Sequence, residues 1–251
     1  MTPAMTRPTL LLLPGMLCDE AAWADHCADL GGIADCRVPV YRTLASIEAM
    51  AEHVLATAPS ASFAMAGHSM GGRVALEVVR RAPERVSRLA LLDTGFQALA
   101  AGDAGEKERA GRYQLLSRAR DEGMRAMGAQ WARGMVHPEH LGDPVFETIL
   151  QMIARNTPGM FESQIRALLA RPDATAFLPL IRCPVLLLCG RDDVWSPLAR
   201  HEEMHSAIAG SRLDVIEMSG HMTTMEQPLA VSRALAEWLA QPQGSAAASK
   251  P

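Results

Sequence analysis

The 251-residue chain predicts an α/β fold: a mostly parallel sheet of about six strands, flanked by helices and interrupted by an inserted helical segment. Three observations carry this. Short, wholly apolar runs such as Leu10-Leu11-Leu12-Leu13 and Val185-Leu186-Leu187-Leu188 fit strands buried on both faces, as parallel sheets require. These runs alternate with stretches whose apolar residues recur at helical spacing. Hydrophobic residues make up 49% of the chain, enough for one sizeable core.

The first strand is the run Thr9 to Leu13, which stops at Pro14-Gly15. Met16 to Asp19 form a loop, and a helix over residues 20–30 ends at Gly31-Gly32. Cys36 to Pro39 read as a short second strand, with Pro39 marking an edge position. Ser46 caps a helix whose Ile47, Met50, Val54 and Leu55 share one face. Phe63 to Ala66 form the third strand and Val86 to Leu92 the fourth, which ends at Asp93-Thr94-Gly95. The alternation then stops. Residues 96–171 show only helical patterns, over 106–120, 124–136, 144–155 and 160–170. It resumes with Pro184 to Cys189 as the fifth strand, and Ser196-Pro197 opens a helix as cap and first residue. Arg212 to Glu217 form a sixth strand, and a last amphipathic helix uses Leu229, Leu235, Trp238 and Leu239. The predicted organisation is therefore a core of residues 1–95 and 172–240, a helical cap of 96–171 and a disordered tail of 241–251.

Composition excludes several roles. With 24 Lys+Arg against 28 Asp+Glu the formal charge is −4, which gives no reason to expect nucleic acid or an anionic membrane as partner. No apolar run approaches the roughly 20 residues of a membrane span. The first residues lack a secretory pattern, so the expected location is cytoplasmic. Five cysteines, none in a Cys-x-x-Cys pair, read as reduced small core residues rather than zinc ligands. No metal and no organic cofactor are expected. His201 and His205 have the i, i+4 spacing of some metal sites, but without a further ligand cluster they read as a solvated helix face. His26, His53, His137 and His140 are likewise expected at the surface.

The chemistry concentrates where strands end. Gly67-His68-Ser69-Met70-Gly71-Gly72 lies between an apolar strand and a helix, so it predicts a sharp turn that lifts the Ser69 hydroxyl to a helix N-terminus. Ser69 follows the third strand, Asp193 the fifth and His221 the sixth, and carboxyl ends of parallel strands share one edge of the sheet. A serine hydroxyl needs an imidazole to take its proton, and the imidazole needs a carboxylate to fix its tautomer. Backbone N–H groups of Met70 and of the loop at Met16 can face an oxyanion. His68, next to Ser69, reads as a packing residue or a supporting hydrogen bond.

Together, Gly67-His68-Ser69-Met70-Gly71-Gly72, Gly190-Arg191-Asp192-Asp193 followed by Pro197, and Gly220-His221-Met222 resemble the three catalytic stretches of the α/β-hydrolase superfamily. The order Ser, Asp, His matches as well, and the likeness spans residues 9–238, nearest to small bacterial esterases with a helical cap. Pro14-Gly15 stands where the superfamily commonly has His-Gly; the contact there is a backbone N–H, so the change need not impair it. Too few residues precede Thr9 for the two usual leading strands, which predicts a six-stranded sheet in the order second, first, third, fourth, fifth, sixth.

The resemblance implies a serine hydrolase of carboxylic esters acting through an acyl-enzyme on Ser69, with His221 as base and Asp193 as orienting acid. Asp93 and Asp192 compete for the last role. Asp193 stands three residues after Gly190 and four before Pro197, the spacing of the resembling enzymes, whereas Asp93 reads as a turn into the cap. Leu17, Trp131 and Phe161 are the expected substrate contacts, and a small apolar ester or lactone is the expected partner. Arg125, Arg133, Arg155 and Arg166 read as surface residues, any of which could grip a substrate carboxylate. A lactonase (including acyl-homoserine lactones), a thioesterase or a carbon–carbon bond hydrolase would use the same site, and a non-catalytic small-ligand receptor would keep the fold alone.

Overall fold

The computed structural model describes residues 7–241; the predicted tail beyond Gln241 lies outside the described residues. Six strands form one sheet in the order β2-β1-β3-β4-β5-β6, and every neighbouring pair is parallel. They are β1 (Thr9–Leu13), β2 (Asp35–Arg37), β3 (Phe63–His68), β4 (Val86–Leu92), β5 (Val185–Gly190) and β6 (Arg212–Ile216). β1, β3 and β5 are buried along their whole length, and edge strands β2 and β6 are mostly half-buried. Each fully buried leucine of β1 contributes about 1.5–3 kcal/mol through lost water contact.

The helices are α1 (Ala24–Leu30), α2 (Ile47–Thr57), α3 (Met70–Arg81), α4 (Asp103–Glu122), α5 (Met124–Trp131), α6 (Pro144–Ala154), α7 (Pro158–Leu169), α8 (Leu198–Ala207), α9 (Thr223–Glu226) and α10 (Pro228–Ala240). α2 packs beside α3 and α1 beside α10, while α4–α7 separate β4 from β5 in the chain. No helix among the described residues is long and apolar enough to cross a membrane.

Local chemistry sets several boundaries. The Ser46 hydroxyl accepts the Ala49 N–H at 3.1 Å and starts α2 as expected. Ser196 does not cap α8. Its N–H is drawn to Asp193 Oδ1 at 2.9 Å, and the helix begins after Pro197. Leu229 is not part of the inward face of α10 and is 75% exposed. It lies two residues before the buried Val231, about 200° around the helix, so it points away.

Candidate active site

β3 ends at His68, and Ser69 turns the chain directly into α3. Its φ of 53° and ψ of −115° are strained for a residue with a side chain. The turn is that tight because two backbone segments meet: a Cβ on Gly67 would strike the Gly71 carbonyl, and one on Gly71 the Leu13 carbonyl. Three hydrogen bonds hold it. Ser69 N–H donates to Leu92 O at 2.9 Å, Gly72 N–H to Ser69 O at 3.0 Å, and Thr94 Oγ1 to Ser69 O at 2.6 Å.

The structure brings Ser69, His221 and Asp193 into one line. His221 Nε2 lies 2.8 Å from Ser69 Oγ, and His221 Nδ1 lies 2.8 Å from Asp193 Oδ2. A carboxylate only accepts, so Nδ1 carries the hydrogen and Nε2 faces the serine as an acceptor. Asp193 Oδ1 accepts the Trp195 and Ser196 N–H groups at 2.8 and 2.9 Å, which fixes the carboxylate. Burial alone would depress the His221 pKa, but the charge and hydrogen bond of Asp193 raise it above the ordinary histidine value. Burial works the other way on Asp193, and the His221 charge and the N–H donors still hold its carboxyl below the usual range.

The loop carrying His221 is clasped by Glu226, a buried residue of α9 that sequence reading passed over. Its Oε1 accepts the Gly220 and Met222 N–H groups at 3.0 and 3.1 Å, and its Oε2 accepts the His137 N–H at 2.6 Å. His221 N–H donates to Met135 O at 2.5 Å, so the segment after α5 is tied to the loop twice. The one available signal was an acidic residue five positions after His221, too common a pattern to single out.

Ser69 and His221 open into a cavity of about 550 Å³. Met16 and Met70 flank Ser69 on its wall, and Trp131, Met135, Phe161 and Leu168 bring apolar surface from the α4–α7 region. An aromatic line runs to the histidine: Phe161 to Trp131 at 6.1 Å between centroids, Trp131 to Trp195 at 5.2 Å, Trp195 to His221 at 5.1 Å. Leu17 departs from expectation. A φ of 60° turns its fully buried side chain away from the cavity, which Met16 and Cys18 line instead. Its backbone is held by Gln164, which accepts its N–H at 2.8 Å, and by Asn156, which donates to its carbonyl at 3.1 Å.

A family model described as "Alpha/beta hydrolase family" matches residues 10–234. The chain belongs to the alpha/beta hydrolase family. This α/β-hydrolase is 30% identical over 203 residues to the pimeloyl-[acyl-carrier protein] methyl ester esterase of Neisseria meningitidis serogroup C, covering 80% of the chain and 77% of that relative. It is 26% identical over 224 residues to the 2-succinyl-6-hydroxy-2,4-cyclohexadiene-1-carboxylate synthase of Klebsiella pneumoniae, covering 87% and 84%. A Bacillus subtilis relative is matched over 64% of its own length. Among solved structures, a thermophilic esterase from Thermogutta terrifontis superimposes with a TM-score of 0.82 at 28% identity, covering 93% and 90% of the two chains. Relatives with different named reactions thus share one framework.

Of four buried polar groups in this α/β-hydrolase, two, His26 and His201, depart from the surface roles expected of them. Asp93, read as a turn after the fourth strand, is fully buried near Asp193. Burial first, then the Asp193 charge, raises its pKa well above the carboxylate range, and it accepts the Gly190 N–H at 2.9 Å and bonds the Thr223 hydroxyl. His26 is buried between Ser232 Oγ at 2.8 Å and Thr224 O at 3.0 Å. His201 is buried and its Nε2 accepts the Thr94 N–H at 3.2 Å; burial pushes it down to about 4. Sequence periodicity cannot separate such satisfied core histidines from surface ones. Burial also pushes His68 down to about 3, and its Nε2–H donates to His221 O at 2.7 Å, which makes it a neutral prop for the loop. Asp93, Cys189 and Asp193 lie close enough to hold a cation. Both Asp193 oxygens already accept protein hydrogens, as do both of Asp93, and burial raises the Cys189 thiol pKa, so this donor set does not fit one.

Proposed function

We propose that the protein is a serine hydrolase of carboxylic esters in which Ser69 is the nucleophile, His221 the general base and acid, and Asp193 the orienting acid. The observation that carries this is the unbroken hydrogen-bonded line from Asp193 through His221 to Ser69, opening into a cavity with both apolar and charged lining. Ser69 Oγ attacks the ester carbonyl carbon and its proton passes to His221 Nε2. The negative oxygen that forms is stabilised by the N–H groups of Met70, at the start of α3, and Met16. As the intermediate collapses, the C–O bond to the alcohol breaks and His221 returns the proton to the leaving oxygen. Water then attacks the acyl-enzyme, giving its proton to His221, and the acid leaves as Ser69 regains its hydrogen. Residues 96–171 act as a cap, with Trp131 and Phe161 limiting the acyl chain. Lactones and thioesters present the same carbonyl to the same groups.

A fluorophosphonate probe and a short p-nitrophenyl ester test the reading. The probe is expected to label Ser69 in the wild type and not in Ser69→Ala, and Ser69→Ala should lose at least about 10³-fold in turnover. An unlabelled Ser69, or Ser69→Ala turnover within tenfold of wild type, overturns it.

A further inference from the structure

The cavity has a second wall that the triad does not use. Arg73 stands four residues after Ser69 in α3, one helical turn along the same face. Arg73, Lys107, Arg112, Arg171 and Arg200 line the cavity together with a single carboxylate, Glu108. In a chain of net charge −4, five cations against one anion around one cavity is a local reversal of sign. Glu108 is already engaged. Arg171 Nη1 and Nη2 donate to its two oxygens at 2.6 and 2.9 Å, and Arg112 Nε adds a bond at 3.0 Å. Burial would raise its pKa, yet these guanidiniums hold it down to about 2.

Among the described residues, Arg73 and Arg200 share no such anion. Arg73 Nη1 donates to Gln97 O at 2.8 Å and Arg200 Nη1 to Trp195 O at 3.0 Å, both neutral carbonyls. The two side chains converge on Gly95, where a Cβ would meet Arg73 Nη2 at 2.8 Å and Arg200 Cδ at 2.9 Å. Gly95 follows Thr94, whose hydroxyl holds the Ser69 carbonyl, so this cationic pair adjoins the nucleophile turn. The nearby Asp173 is exposed, and its oxygens accept the Ala98 and Thr175 N–H groups at 3.1 and 2.8 Å. Desolvation, then the charges of Arg171 and Arg200, lower the Arg73 pKa to about 9, the expected sign for cations gathered without enough counter-charge. Arg73 and Arg200 are half-buried, and the planar fork of a guanidinium matches a carboxylate. Leu115, Trp131, Met135 and Leu168 add apolar lining to the same cavity.

We propose that the substrate is an acidic ester: an ester with an apolar body that carries a carboxylate away from the bond broken, held by Arg73 and Arg200 with Arg112 and Arg171 behind them. This refines the expected small apolar substrate and rests on the hydrolase reading of Ser69.

Matched pairs test it on both sides of the ester. Mono-p-nitrophenyl glutarate differs from p-nitrophenyl valerate only in a terminal carboxylate for a methyl, and p-acetoxybenzoate is compared with its methyl ester. The wild type is expected to favour the acid in at least one pair by about tenfold or more in kcat/KM, as a charge-assisted hydrogen bond supplies. The preference should shrink in Arg73→Gln, in Arg200→Gln and with added salt. Binding of monomethyl glutarate against methyl valerate to Ser69→Ala protein gives a readout that needs no turnover, and only the acid should bind, less tightly when Arg73→Gln is added. Equal or better use of both neutral twins, with no binding preference for the acid, overturns the proposal. Loss of Ser69 labelling with a retained preference for the acid in binding would instead overturn the hydrolase reading and keep the anion site.

Discussion

Replacing Glu226 by Gln changes one atom and should disturb both stability and rate. The carboxylate accepts N–H groups from Gly220, Met222 and His137, three bonds to a charged acceptor in a buried place. In Glu226→Gln the amide oxygen can keep the pair at Gly220 and Met222. The amide nitrogen then faces the His137 N–H, donor against donor, and leaves it without a partner. That orphaned group costs about 1–3 kcal/mol, and the two surviving bonds lose their charge assistance. A total near 2 kcal/mol lowers Tm by about 4–8 °C for a chain of this size. Because the same loop carries His221, kcat should fall by about tenfold or more while KM changes little. Thermal unfolding and Michaelis kinetics on a p-nitrophenyl ester measure both. A Tm within about 1 °C of wild type and an unchanged kcat would refute the clasp.

Three other outcomes are expected. Asp193→Asn should cost up to about 10⁴-fold in turnover, since an amide can neither stabilise the imidazolium nor enforce its tautomer, while Asp93→Asn should cost less than about tenfold; the reverse order moves the acid to the end of β4. The base works when neutral and Asp193 raises the His221 pKa, so kcat/KM should climb with pH through a midpoint above about 6.5, and this midpoint should fall in Asp193→Asn. A wild-type midpoint well below that value contradicts the assignment of the base. Trp131→Ala should widen the cavity and shift relative rates toward longer acyl chains, and an unchanged ranking across a chain-length series would show that Trp131 does not limit the pocket.

The sheet was legible because its signals are local. The leucine runs of β1 and β5 announce strands buried on both faces, and the six strands taken in the order of the resembling superfamily give the sheet order found. Ser69, Asp193 and His221 stood out because each follows a strand at a glycine-marked turn, and the structure brings them together. What depends on distant packing was not legible. Leu17 and Cys18 are neighbours, and a positive φ decides which of them meets the cavity. Arginines show the same limit. Arg125, Arg155 and Arg166, candidates by their place in the helical region, form surface ion pairs with Glu147, Asp19 and Glu162. Those that reach the cavity are Arg73 and Arg200, from α3 and α8, with Arg112 and Arg171. A helix periodicity names a face but not its neighbour.

The aromatic line from Phe161 to His221 gives the molecule a built-in optical reporter. Trp195 and Trp131 sit in sequence behind the imidazole, whereas Trp23 and Trp238 are fully buried elsewhere and supply a constant background. An imidazolium in contact with an indole quenches its emission, and displacement of water from around an indole shifts the emission to the blue. Tryptophan fluorescence should therefore report the protonation of His221 and the filling of the cavity directly, in the unlabelled protein and without a chromogenic substrate. Occupancy could then be followed on the millisecond scale, before any bond is broken.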